Sequence, residues 1–173
     1  MGGRRLLIVA GFVLLLGGGG VLGDWYAQNR ELDRLLTRIE TAEQTVNRWG
    51  PATQTIFADY EAPGPLPAEV WARLAAAAEA SARDVADKVE RVDEIRFLPW
   101  HRDLYRARDR YVHHAGLWLA YLRRVAGDAE ANYQKRSDDI LDTYRQALSD
   151  LRRAVPSRPR QDFGARITAL EPG

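Results

Sequence analysis

From Asp24 to Val155 the large apolar residues return mostly every three or four positions, with no sustained two-residue alternation, a pattern that points to packed helices. Trp25, Leu32, Leu35, Ile39, Ala42, Val46 and Trp49, with Gln28 filling one slot, mark a first helix. Its apolar seam is narrow, of coiled-coil type, with Arg30, Glu31, Asp33, Arg34, Arg38 and Glu40 outside it. Gly50 and Pro51 form a stop signal. The stretch that follows is irregular, and in it Ile56, Phe57 and Tyr60 are spaced for one or two helical turns. Pro67 and Glu69 suit the start of a second helix, whose stripe runs Val70, Trp71, Leu74, Ala78, Ala82, Val85, Val89, Val92 and Ile95 before Pro99. A third helix, about Trp100–Ala126, carries Leu104, Tyr111, Ala115, Trp118, Leu122 and Val125. Gly127 closes it and Asp128 caps a fourth, with Tyr133, Ile140, Tyr144, Ala147, Leu151 and Ala154 inward.

No Asn-Gly or Asp-Gly hairpin turn occurs, so the expected class is all-α. Four long helices with short connections predict an antiparallel four-helix bundle over residues 24–155. The alternative is a three-helix bundle from which the first helix projects as a dimerising coiled coil. The Pro- and Arg-rich tail, residues 156–173, is expected to be loosely ordered, with Phe163, Ile167 and Leu170 spaced for one small docked turn.

Ahead of the bundle stands a basic n-region, residues 1–5, followed by an apolar run from Leu6 to Leu16 and four consecutive glycines. Leu6–Gly23 is uncharged and, as a helix, about 27 Å long, the lower end of what crosses a bilayer. Trp25 and Tyr26 fall where interfacial aromatics belong, and helical periodicity resumes without a linker. This predicts an uncleaved, single-pass signal anchor, with Arg4 and Arg5 cytoplasmic by the positive-inside rule. The alternative is a signal peptide ended by the glycines and cut before Asp24, which would release a secreted domain. Both readings put the bundle outside the cytoplasm.

Composition removes several functions. Without cysteine there is no disulfide framework, thiolate metal site or cysteine nucleophile. Of the 25 basic residues only Lys88 and Lys135 are lysines, a bias of GC-rich coding that points to a bacterial source, and a net charge of +1 gives no reason to expect nucleic acid. His113 and His114 diverge by about 100° on a helix, His101 lies more than three turns away, and no Glu-x-x-His or His-x-x-x-His spacing exists. No serine sits in a Gly-x-Ser-x-Gly turn. With no catalytic constellation, no metal site and no cofactor site, the expectation is a non-enzyme.

The candidate site residues are therefore few. Arg108 stands on the seam of the third helix between Leu104 and Tyr111, where an aliphatic residue is expected. It is either a snorkelling cation at the bundle surface, or a cation for an anionic ligand or a buried ion pair, with Trp118 and Tyr144 nearby. Arg152, Arg153, Arg158 and Arg160 form a basic cluster able to touch an anionic surface. In outline the layout of anchor and extracytoplasmic bundle resembles the sensory bundles of bacterial receptors, but those need a second membrane span and none follows Gly23. The expected role is a membrane-anchored structural or interaction module for a protein partner or a second copy, the alternative a small-ligand-binding bundle.

Overall fold

The stripe that begins at Trp25 belongs to α1 (Gly3–Val46), a helix that continues N-terminally without a break. The computed structural model describes residues 3–58, 60 and 65–171, with side chains from residue 22 onward. Most of the predicted anchor Leu6–Gly23 therefore lies outside the described side chains, although its backbone is part of α1. Among the described residues no helix is long and apolar enough to cross a membrane.

After α1 come α2 (Trp49–Ala58), α3 (Ala68–Asp93), α4 (Arg102–Gly127), α5 (Ala129–Asn132), α6 (Asp139–Ala154) and α7 (Phe163–Ala169). The described residues contain helices and connections only, so the class is all-α. The fold is a helical bundle in which α1, α3, α4 and α6 run up, down, up and down. Its lower core joins Leu32, Leu35, Leu36 and Ile39 of α1 to Val92, Leu104, Tyr111, Tyr144 and Leu151. Its upper core gathers Trp49, Ile56, Val70, Leu74, Val85, Leu122, Val125 and Ile140. Because Leu36 is fully buried although it lies off the predicted seam, α1 meets neighbours on two sides and does not project.

Two of these boundaries differ from the sequence reading. The first helix ends at Val46, where Asn47 and Arg48 close a turn onto Glu43 and Thr45, and Gly50-Pro51 sits inside α2. In the first turn of a helix the missing N–H of proline costs nothing, so Pro51 is tolerated there. The fourth helix is interrupted between Tyr133 and Asp138. Asp128 caps the short α5 by accepting from the Ala131 N–H at 3.0 Å. α6 restarts after Ser137, whose hydroxyl accepts from the Asp139 N–H at 3.2 Å, with Asp139 and Asp142 at its positive end and Arg152 and Arg153 at its negative end.

The tail is docked where a loose segment was expected. Asp162 accepts from the Ala165 N–H at 2.8 Å and caps α7, which buries Phe163 and Ile167 in the lower core. Arg166 fixes it laterally through Glu40 (2.7 Å) and Asp33 (2.6 Å) on α1. One charge of the Arg-rich tail is thus spent on folding it.

Candidate functional site

At the end of the bundle from which α1 runs on toward its N-terminus, side chains from three parts of the chain converge. Here the α3–α4 connection is held to α1 by His101, buried between two carboxylates. Its Nδ1 lies 2.5 Å from Glu31 Oε2 and its Nε2 3.0 Å from Asp24 Oδ1. Both contacts are hydrogen bonds only when both ring nitrogens carry protons. The Leu98 N–H donates to the other Glu31 oxygen at 3.0 Å, and the Trp100 indole N–H donates to Asp24 at 2.5 Å. Trp100, predicted to open the third helix, instead sits in the connection with its ring largely in solvent.

On the opposite flank of α1 the segment after α6 is strapped down. The Trp25 indole N–H donates to the Arg158 carbonyl at 2.7 Å, and the Arg160 N–H donates to the Asn29 side chain at 2.8 Å. The Arg160 guanidinium lies over the Tyr26 ring at 4.9 Å and the Trp25 ring at 6.0 Å. The Gln161 amide donates to Asp33 at 2.6 Å. Two shallow grooves flank the strap. One of about 600 Å³ is lined by Leu22, Asp24, Trp25, Gln28, Pro156, Ser157 and Arg158. The other, about 370 Å³, runs between Tyr26, Arg30, Asp33, Arg160 and Gln161. The structure therefore brings together four residues proposed separately from the sequence: Trp25, Tyr26, Arg158 and Arg160.

The remaining candidates go elsewhere. Arg152 pairs with Glu171, and Arg153 with the buried carboxylate of Asp150 at 2.8 Å. Arg108 stacks on Tyr105, pairs with Asp109 at 2.6 Å and donates to the Ile95 carbonyl at 2.7 Å, so it closes the C-terminal end of α3. It forms no pocket with Trp118, which lies ten residues and about 15 Å further along α4, beside Arg136. Tyr144 belongs to a different group, a buried polar quartet with Glu43, Tyr111 and His114. The Tyr111 hydroxyl donates to Glu43 at 2.9 Å, His114 Nδ1 donates to the Ile140 carbonyl at 2.8 Å, and the His114 and Tyr144 rings stack at 4.6 Å. His114 Nε2 is left 3.7 Å from Glu43 without a hydrogen bond. Glu43 and Tyr144 also line a groove of about 540 Å³ with Glu40, Arg166 and Leu170. Sequence patterning missed Glu43, His101 and Asp150 because their polarity assigns them to solvent, and their partners are distant in the chain.

The electrostatics of the strapped end can be tested with acid. The Trp100 indole, and after it His101, hold the Asp24 carboxyl below the usual aspartate value, while the Gln161 amide and then Arg166 do the same for Asp33. A carboxylate with a lowered folded-state value stabilises the fold above its unfolded value and loses that contribution as pH falls through the folded one. Between neutrality and about pH 4 both contacts should hold, and below it α7 and the α3–α4 connection should loosen. Amide exchange over residues 95–101 and 163–169 should rise at low pH ahead of that in α4; uniform exchange along the chain would count against this.

Among the described residues no group of histidines and carboxylates is arranged to hold a metal ion. Comparison of the chain with protein-family models, curated proteins and solved structures returned no match.

Proposed function

We propose that this protein is a single-pass, membrane-anchored module whose helical bundle stands outside the cytoplasm and presents its helix faces to a partner protein or a second copy. The observation that carries the reading is the unbroken course of α1. The apolar stretch Leu6–Gly23 and the buried residues Leu32–Ile39 belong to one helix, with no linker of the kind expected at a processed signal peptide. The position of Trp25 and Tyr26 at the junction supports it further.

The test is the intact mass of the protein recovered from the membrane and medium fractions of a native-like host. A membrane species that retains Leu6–Gly23 is expected. A soluble species beginning at Asp24 would replace the anchored module with a secreted one. A second reading, a small-ligand-binding bundle, draws support from the groove beside Glu43 and Tyr144, behind which His114 Nε2 lacks a hydrogen bond. It ranks second because the charged groups that line that groove, Glu40, Glu43, Arg166 and Glu171, all have internal partners.

A further inference from the structure

We propose that the strapped end of the bundle is itself a membrane-docking surface, seated on anionic phospholipid headgroups of the leaflet that α1 enters. The inference rests on the anchored reading above. It adds that the bundle lies on the bilayer instead of standing off from it.

Three observations converge. Among the described residues the large apolar side chains most open to solvent are Leu22 (67%), Trp100 (62%) and Tyr26 (50%), and all three surround the point where α1 leaves the bundle. Burial of rings and aliphatic side chains drives helical proteins to fold, so three exposed at one end mark a surface that meets something other than water. Tryptophan and tyrosine are the residues whose amphipathic rings suit the headgroup level.

The charges at this end are sorted by sign. Its carboxylates are used internally: Asp24 by Trp100 and His101, Glu31 by His101 and Leu98, Asp33 by Gln161 and Arg166. Three of its arginines have no such partner. Among the described residues no carboxylate pairs with Arg30, Arg158 or Arg160, whereas Arg152, Arg153 and Arg166 all have one. A guanidinium without a carboxylate, even one resting on aromatic rings as Arg160 does, keeps N–H donors at its edge for phosphate. The strap places these cations deliberately, since the Trp25–Arg158 and Asn29–Arg160 hydrogen bonds tie residues 158–160 to the first exposed turns of α1.

Continuity supplies the occupant. The α1 backbone passes from this surface directly into the segment that carries the apolar run, so whatever holds that run lies next to Leu22, Tyr26 and the arginines. A bilayer with anionic lipid offers both an apolar interior for the run and phosphate for the guanidinium groups.

The test uses the full chain in vesicles and exploits its lack of cysteine. Ser157→Cys, among the strap arginines, and Leu141→Cys, at the far end of α6, each take one fluorophore. The label is read against a headgroup-quenching lipid, first in phosphatidylcholine alone and then in equal parts phosphatidylcholine and phosphatidylglycerol. The label at position 157 should be quenched strongly only with phosphatidylglycerol, and the label at 141 in neither. Arg158→Gln with Arg160→Gln should lower the docked-to-undocked ratio about thirtyfold, while Arg158→Lys with Arg160→Lys keeps most of it, as expected for two cations at an anionic surface. High salt should act like the glutamine pair. A chain that floats with vesicles while position 157 responds equally to both lipids would overturn the docking surface and leave the anchor standing. A chain that does not float would overturn both.

Discussion

Leu36→Ala should destabilise the bundle by about 2–5 kcal/mol, as much as truncation of any leucine on the predicted seam. Leu36 is fully buried in the lower core with Leu32, Leu35 and Ile39. Truncation there removes favourable transfer free energy and leaves a cavity that neighbouring helices fill only in part. In a projecting two-stranded coil the same side chain would lie beside the seam, and its loss would fall within the range of surface substitutions, about 0.5 kcal/mol. Urea unfolding of the full chain in mild detergent, followed by helical circular dichroism, separates the two. A small change in midpoint would remove α1 from the bundle and restore the coiled-coil arrangement.

The second large effect belongs to the buried quartet. Tyr111→Phe should cost about 1.5–3 kcal/mol, because it takes from the buried Glu43 carboxylate a donor held at 2.9 Å. Glu43→Leu alone should also destabilise, since it strands the Tyr111 hydroxyl and removes the carboxylate 3.7 Å from His114 Nε2. Burial, and after it the Glu43 charge, pushes Tyr111 far above the usual tyrosine value, so the hydroxyl keeps its proton and can only be a donor there. The double variant should be more stable than the sum of the single ones by more than about 1 kcal/mol, because an apolar pair leaves fewer unpartnered groups than either half of a broken polar one. Strict additivity in the same unfolding experiment would mean that the two side chains do not share a hydrogen bond.

How much of this could be read from residues alone follows from what periodicity measures. The stripes of α3, α4 and α6 were legible: Val70, Leu74, Ala78, Val85 and Val92, then Leu104, Tyr111, Ala115, Leu122 and Val125, then Ile140, Tyr144, Ala147 and Leu151 are all buried. A stripe records which side of a helix avoids water, and that is a local property. It does not record how many neighbours a helix has, which is why Leu36 read as peripheral.

Polar burial was illegible for a related reason. His101 and Glu31 are seventy residues apart, and their contact exists only once α3 turns back along α1. Nothing in the neighbourhood of either residue announces the other. The tail lay between these cases. Its signals were present, with Asp162 as a cap and Phe163 and Ile167 one turn apart, but prolines and arginines around them gave the opposite impression. The site showed the same division. Trp25 and Tyr26 were found by position relative to the apolar run, and Arg158 and Arg160 by composition, but that they form one surface, joined by Trp100 and Leu22, needed the fold.

One feature of α1 has a mechanical meaning. It is about 66 Å long and has no break from Gly3 to Val46, so the portion beyond the bundle and the portion inside it are one rod. Helices bend sharply at prolines, glycine pairs and π-bulges; α1 contains no proline, and from Val21 to Val46 no paired glycine either. A twist or a shift along the axis applied in the turns around Trp25 is therefore carried to Leu32, Leu35 and Ile39, in the lower core. The protein is geared without a clutch there: its bundle cannot change orientation independently of the helical turns that lead into it from Val21.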